Sequence, residues 1–90
     1  MTKHLNIKVY GRVQGVFFRY STQNKAKELG VAGFTRNEDD GTVYIEAEGE
    51  EDALEKFSDW CKEGTESAEI DRVEITEGEI NNFAEFKIEY

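Results

Sequence analysis

The stretch GRVQGVFFR (residues 11–19) joins a strand-like segment to a helix-like one. Two glycines frame a short loop, and Arg19 closes it. A corner between a strand and a helix turns backbone N–H groups toward one point, and the N-terminus of the helix adds partial positive charge there. The planar fork of donors on Arg19 suits phosphate oxygens. The stretch therefore predicts a cradle for an oxyanion, with a phosphoryl group as the favoured occupant.

Hydrophobic periodicity places this corner between the first strand and the first helix. Leu5, Ile7 and Val9 alternate with polar residues, which indicates a half-buried strand. After the corner, apolar residues recur at helical spacing and predict a helix over roughly residues 20–29, which Gly30 ends.

The rest of the chain alternates between strand and helix patterns. Strands are expected over residues 31–37 and 42–48, with an Asp-Gly turn between them. A second helix follows Gly49, and the residues of its apolar stripe are Ala53, Leu54, Phe57, Trp60 and Cys61. Two more strands are expected, one around residues 70–75 and a last one that alternates from Ala84 to Tyr90, after a polar turn at residues 78–82.

This order, β-α-β-β-α-β with a short additional C-terminal strand, predicts an α+β fold in one domain over residues 1–90. Two short helices can cover only one face of the sheet, so we expect a two-layer α/β sandwich of the ferredoxin-like type with an antiparallel sheet. The first and third strands would be central, and the second would lie at an edge. The last strand could be an unpaired edge that invites pairing between chains.

Charge is unevenly distributed along the chain, whose net charge is −9. Residues 1–37 carry seven basic residues and one acidic residue, whereas residues 38–90 carry four basic and nineteen acidic residues. The pattern fits either an ordinary acidic surface or a basic first half that hosts an anion site. The acidic total argues against a nucleic-acid backbone as the main partner.

Several functional classes lack support in the composition. No apolar run approaches the roughly 20 residues that span a bilayer, and no secretory signal opens the chain, so we expect a cytoplasmic protein without membrane association. Cys61 is the only cysteine, so no disulfide can form within the chain. His4 is the only histidine and receives no predicted role, and one His with one Cys does not support a metal cluster or a Ser/His/Asp triad.

The stretch at residues 11–19 resembles the first signature of the acylphosphatases, small enzymes that hydrolyse carboxyl-phosphate mixed anhydrides. That signature reads Gly-x-Val-Gln-Gly-Val-x-Phe/Tyr-Arg, and the residues that match it without a gap are Gly11, Val13, Gln14, Gly15, Val16, Phe18 and Arg19. A second signature of the family is matched by Gly33, Phe34, Arg36, Asn37 and Gly41. Thr35 departs from it, because the family usually has a small apolar residue there.

The resemblance implies an enzyme that releases phosphate from a small-molecule acyl phosphate, with Arg19 binding the phosphate and Asn37 positioning the attacking water. The phosphate-binding loop would comprise Gln14, Gly15, Val16, Phe17, Phe18 and Arg19. Within it, helical register places Phe18 in the core, whereas Phe17 could shield the site or simply pack. Thr42 could orient Asn37 by a hydrogen bond across the turn, or it could be an ordinary strand residue. We expect a monomer without metal or cofactor, whose site would also bind inorganic phosphate or a similar anion.

Two alternatives stay open at this point. Domains of this shape also occur as accessory parts of larger enzymes, such as hydrogenase-maturation carbamoyltransferases. The same sheet topology can bind RNA, but that requires exposed aromatic residues on the central strands and a basic sheet face. Tyr10 and Tyr44 could face outward, but Glu46 and Glu48 lie on the same face as Tyr44 and argue against RNA binding.

Overall fold

The computed structural model describes residues 1–90, which form five strands and two helices. In chain order the elements are β1 (Thr2–Arg12), α1 (Phe18–Leu29), β2 (Ala32–Asn37), β3 (Val43–Glu50), α2 (Glu51–Glu63), β4 (Glu69–Glu77) and β5 (Phe86–Glu89). The predicted order of strands and helices is confirmed. The main differences lie at the ends of elements: β1 is longer than its alternating pattern indicated, and α1 begins at Phe18, inside the signature stretch.

The sheet has the strand order β4-β1-β3-β2-β5. β1 pairs antiparallel with both β3 and β4, and β2 pairs antiparallel with β3. β5 pairs with β2 in parallel, so the expectation of an antiparallel sheet is wrong and the sheet is mixed. The reason lies in the connection before β5. It crosses from one edge of the sheet to the other instead of turning back as a hairpin, so β2 is an inner strand and β5 is a paired edge strand.

Both helices pack on one face of the sheet and close the hydrophobic core. Inward residues of β1 and β3 alternate with outward ones, and those facing the helices are fully buried: Ile7, Val9, Val43, Ile45 and Ala47. The apolar stripe of α2 is confirmed as core, through Leu54, Phe57 and Cys61. Phe18 is buried as predicted and stacks on Trp60 at a centroid distance of 5.6 Å. Neither helix combines the length and apolar character needed to cross a membrane.

Residues 78–85, which we call the strap, run from β4 to β5 past the ends of the three inner strands. The N–H of Gly78 donates to the carbonyl of His4 (2.9 Å), and the N–H of Gly33 donates to the carbonyl of Glu85 (2.9 Å). Between these points, the N–H groups of Asn81 and Phe83 donate to the carboxylate of Glu48. The sequence indicated only a polar turn here. The strap is instead a crossover that sets the direction of the last strand.

Candidate active site

A cavity of about 390 Å³ opens where α1 begins and where β2 and β5 end. The residues that line it are Val13, Gly15, Phe17, Phe18, Arg19, Tyr20, Asn37, Ile88 and Tyr90. Arg19 and Asn37, which the family resemblance singled out, therefore share one cavity although they lie on different elements. Of the other predicted residues, Gln14, Val16 and Thr42 do not line it.

The loop before α1 has an unusual backbone. Gly15 has a φ of 72° and Phe17 a φ of 60°, both in the left-handed region. Glycine adopts this region freely, but a bulky residue seldom does. Left-handed residues in such a loop turn successive N–H groups toward one side, which makes a concave binding site for anions.

The N-terminus of α1 adds donors to this loop. Phe17 occupies the N-cap position and makes no capping hydrogen bond with its side chain. The first backbone bond of the turn runs from the N–H of Ser21 to the carbonyl of Phe17 (3.1 Å), so the preceding N–H groups have no acceptor within the helix. No acidic residue lies in the first turn. The loop and the helix end together favour an anion at the cavity.

Arg19 is held in place by the end of β5. Its Nη1 donates to the carbonyl of Glu89 (3.1 Å), and its guanidinium carbon lies 5.0 Å from the centroid of the Tyr90 ring. These contacts fix one side of the guanidinium, and Arg19 forms no ion pair with a carboxylate. The positive charge of Arg19 and its other donors are therefore available to an anion in the cavity.

Asn37, the last residue of β2, has a polar atom that the fold leaves unsatisfied. Its side-chain oxygen Oδ1 is buried and has no hydrogen-bond partner within the protein. Leaving a buried acceptor unpaired costs about 1–3 kcal/mol. An amide can accept from one ligand through its oxygen and donate to another through its nitrogen. Asn37 is thus equipped to bind a water and a phosphoryl oxygen together.

Gln14 connects the loop at residues 14–19, which we call the cradle loop, with the turn that follows Asn37. Its Nε2 donates to the carbonyl of Glu38 (2.8 Å) and to the carbonyl of Thr42 (2.9 Å). Sequence reasoning gave Gln14 only a backbone N–H in the cradle and missed this use of its side chain. The two hydrogen bonds fix the loop that leads to Arg19 relative to the strand that carries Asn37.

The hydroxyl of Thr42 is directed to Asp40 and not to Asn37. It donates to Oδ1 of Asp40 (2.6 Å), and the N–H of Thr42 donates to the same oxygen (3.1 Å). Lys8 lies 3.1 Å from the other carboxylate oxygen. The hydroxyl and N–H of Thr42, with Lys8, lower the pKa of Asp40 to about 2. Thr42 therefore stiffens the turn, and its carbonyl receives the Gln14 side chain.

Sequence reasoning also missed the residues that β5 and the position after it bring to the cavity. Ile88 and Tyr90 line it, and the carbonyl of Glu89 holds Arg19. Their position depends on the parallel pairing of β5 with β2, which no local pattern in the sequence indicated. Three aromatic rings around the mouth are largely exposed: Phe17 at 82%, Tyr20 at 59% and Tyr90 at 101%.

A family model, curated relatives and a solved structure that match this chain are all described as acylphosphatases. A family model described as Acylphosphatase matches residues 5–88. An acylphosphatase of Archaeoglobus fulgidus is 46% identical over 86 residues, which cover 96% of this chain and 97% of that protein. An acylphosphatase of Thermotoga maritima is 44% identical, with 98% of both chains covered. The crystal structure of acylphosphatase from Bacillus subtilis superposes with a TM-score of 0.95 at 40% identity, and all of both chains is covered.

A similar domain also occurs within a much larger protein. The crystal structure of full-length HypF, in a form that contains phosphate and nucleotide, matches all of this chain with a TM-score of 0.90 and 31% identity. The match covers 12% of the HypF chain. The same fold thus serves both as a protein of about this length and as one part of a larger protein.

Proposed function

This chain belongs to the acylphosphatase family and has the activity of an acyl-phosphate hydrolase, and from that premise we propose a role in the reaction for each residue of the site. Arg19 binds the phosphoryl group, the loop from Gln14 to Arg19 cradles it, and Asn37 orients the attacking water. One observation carries this assignment. A free arginine charge, an uncapped helix N-terminus and a buried amide oxygen without a partner border the same cavity.

Hydrolysis of an acyl phosphate requires the groups that these residues supply. Water attacks phosphorus, the bond between phosphorus and the acyl oxygen breaks, and the products are a carboxylate and inorganic phosphate. Because the carboxylate is a good leaving group and the transition state is loose, a fixed anion cradle and an oriented water contribute more than a strong base does. Asn37 is not a base at neutral pH, so the water proton passes to a phosphate oxygen of the substrate itself.

The acyl part of the substrate would lie at the mouth of the cavity. Phe17, Tyr20 and Tyr90 offer aromatic surface there, and Arg19 is the only charged side chain in the lining. The bound phosphoryl group uses that charge, so the acyl part meets apolar surface. This arrangement favours recognition of the shared phosphate over the identity of the acyl group.

We further propose that the 90 residues act as one catalytic domain, as a monomer in the cytoplasm and without a metal. The near-complete coverage of the curated relatives supports the first part. Burial raises the pKa of the Cys61 thiol to about 12, which agrees with a structural role in a reducing compartment. Size-exclusion chromatography and turnover measured in chelator would test the oligomeric state and the metal.

We do not propose nucleic-acid binding. The sheet face that would be used carries Glu46 and Glu48, and the hydroxyl of Tyr44 donates to Glu46 (2.8 Å). The strap contacts the same face through Phe83, whose ring packs on His4. A gel shift with RNA at low salt tests for such binding, and retarded RNA would contradict this conclusion.

The central experiment measures hydrolysis of benzoyl phosphate in chelator, beside two variants. Arg19→Ala removes a charge-assisted contact to the phosphoryl group, and kcat/KM should fall by on the order of a thousand-fold. Asn37→Ala should lower kcat by about a hundred-fold, because the attacking water loses its fixed position, while inorganic phosphate still binds. Arg72→Ala and Asn24→Ala, at exposed positions outside the cavity, are the matched controls and should keep full turnover.

Either of two results would contradict the assignment. Full turnover in Arg19→Ala would remove the proposed phosphate ligand. Loss of phosphate binding in Asn37→Ala, with normal turnover at saturation, would show that Asn37 binds the anion and does not orient water. A wild-type chain that binds phosphate but hydrolyses no acyl phosphate would favour an accessory module, as in the larger proteins with this domain.

A further inference from the structure

His4 and Glu48 form a buried ion pair at the end of the sheet opposite the cavity. Their exposed fractions are 3% and 5%. Nδ1 of His4 lies 2.7 Å from Oε2 of Glu48, while Nε2 lies 2.9 Å from Oδ1 of Asn6 and 3.1 Å from Oε1 of Glu46. Both ring nitrogens thus face oxygen acceptors, and this geometry favours an imidazolium that donates on both sides.

The surroundings of the pair favour its charged state. Burial by itself opposes the charge of His4, but its bonds to Glu48 and Asn6 and the charge of Glu46 prevail, so its pKa is raised. Burial likewise opposes the charge of Glu48, but the N–H of Asn81, the His4 ring and the N–H of Phe83 prevail, so its pKa is lowered. The charged groups that face the His4 ring are Glu46 and Glu48, both on β3, while β1 contributes Asn6 and the strap contributes the Phe83 ring.

Glu48 is also the anchor of the strap. Its carboxylate accepts the N–H of Asn81 on one oxygen and the N–H of Phe83 (3.1 Å) on the other. The ring of Phe83 stacks 5.9 Å from the His4 ring. The carbonyl of His4 accepts the N–H of Gly78 (2.9 Å). The ion pair therefore contacts the strap at its beginning and in its middle.

The strap leads directly into β5, which carries part of the cavity. β5 is an edge strand of four residues, held by its pairing with β2 and by a bond from Gln23 Nε2 to the carbonyl of Phe86 (3.1 Å). At its far end, the carbonyl of Glu89 holds Arg19. Phe86 fixes the start of β5 in the core, whereas the rest of this short edge strand has few contacts and is expected to open locally more readily than the inner strands.

We propose that Glu48 and His4 are positioning residues for Arg19: through the strap, they set the position of β5, and β5 sets the guanidinium against the phosphoryl group. The proposal rests on the assignment of Arg19 as phosphate ligand. It predicts that weakening the anchor reduces phosphate affinity and leaves the chemical step unchanged, because no hydrogen bond joins the strap to Asn37 or to residues 14–19.

Glu48→Gln tests this proposal, because it keeps the shape of the side chain but turns one acceptor into a donor that opposes the strap amides. The dissociation constant of inorganic phosphate, measured by calorimetry, should rise on the order of five-fold, and kcat should stay within about two-fold of wild type. Glu46→Gln is the matched control. It makes the same change on the same face of β3 and also contacts His4, but it contacts no strap amide, so phosphate affinity should stay unchanged.

Hydrogen exchange supplies the second readout. In Glu48→Gln, the amides of Asn81, Phe83 and β5 should exchange faster, with the amides of α2 unchanged. If those amides exchange at the wild-type rate, or if they exchange faster while phosphate affinity is unaltered, the proposal is overturned. A fall in kcat at unchanged phosphate affinity would also overturn it, since that result reports a smaller folded fraction.

A second variant covers the case in which Glu48→Gln does not fold. His4→Gln removes the ring but leaves the Glu48 carboxylate on the strap, so a smaller rise of the phosphate dissociation constant is expected, and no rise would overturn the proposal. Phosphate binding and hydrogen exchange need no turnover. A wild-type chain that binds phosphate without hydrolysing benzoyl phosphate would contradict the proposed function while these measurements still decide the role of Glu48.

Discussion

The two ends of the sheet treat their buried polar groups in opposite ways. At the strap end, Glu48 accepts three hydrogen bonds, and both nitrogens of His4 have partners. At the cavity end, Oδ1 of Asn37 has no partner, and α1 begins without a side-chain cap. At the same end, the backbone of Phe17 is left-handed and its side-chain ring is mostly exposed.

This difference separates scaffold from site. A strained residue or an unpaired polar atom lowers the stability of the folded chain without any compensating contact inside it. Its presence at a cavity therefore indicates a ligand. Polar groups that all have hydrogen-bond partners indicate a structural role, because a complete network fixes one geometry. The chain thus has a hydrogen-bonded polar cluster at one end of the sheet and the cavity with its unpaired groups at the other, and β1, β2, β3 and β5 run between them.

The largest expected effect comes from truncating one side chain at each end. Glu48→Ala leaves the imidazolium of His4 without its partner and frees two strap amides, which should cost about 3–5 kcal/mol. Asn37→Ala removes an atom that had no partner, so the free energy of unfolding should not fall. Urea unfolding followed by circular dichroism measures both values. Equal losses in the two variants would mean that the two ends do not differ as described.

A change of pH should weaken the strap end selectively. Because the pKa of His4 is raised in the folded chain, its contribution is full below the ordinary value of 6.5 and is lost as pH rises through the folded value. Because the pKa of Glu48 is lowered, its contribution is full above the ordinary value of 4.5 and is lost as pH falls through the folded value. The difference in Tm between wild type and His4→Gln should therefore be largest between pH 4.5 and 6.5. A difference that is constant from about pH 3 to about pH 9 would exclude an ion pair as its source.

At the cavity end, the side chain of Gln14 offers a smaller effect. Gln14→Ala removes two hydrogen bonds between the cradle loop and the turn after Asn37, and kcat/KM should fall about ten-fold as the two parts lose their fixed distance. A double-mutant cycle with Asn37→Ala checks the reason. If Gln14 acts by placing Asn37, its loss should have little further effect in the Asn37→Ala background, whereas fully additive losses would show that the two side chains act independently.

Much of the fold could be predicted because it follows local rules. The alternation in β1 and β3 and the apolar stripe of α2 each appear within a short window of sequence, and all three face the core. The direction of β5 could not be predicted, because it depends on the strap, whose residues have no period and whose anchor, Glu48, lies far away in the chain. His4 received no predicted role for the same reason: the two carboxylates that it contacts, Glu46 and Glu48, lie on another strand.

The site divides in the same way. The cradle loop is continuous in sequence, so its glycines and Arg19 could be recognised together. Asn37 entered only through the family resemblance, since spacing alone does not place it beside Arg19. The side-chain bonds of Gln14 and the hold of Glu89 on Arg19 required the folded chain, because both connect elements that are distant in sequence.

The smallest expected effect concerns a second unpaired atom near the cavity end. Thr35 is fully buried on β2, and its hydroxyl, like the amide oxygen of Asn37, has no hydrogen-bond partner. Unlike Asn37, Thr35 does not line the cavity, so its unpaired oxygen has no ligand to serve. Thr35→Val keeps the branched shape and removes the buried hydroxyl, which should stabilise the fold by about 1 kcal/mol and raise Tm by roughly 4–8 °C. Thermal unfolding measures the gain, and benzoyl phosphate turnover should stay within about two-fold of wild type. A loss of turnover would place this hydroxyl among the functional groups of the site, and an unpaired atom would then indicate function even where no cavity reaches it.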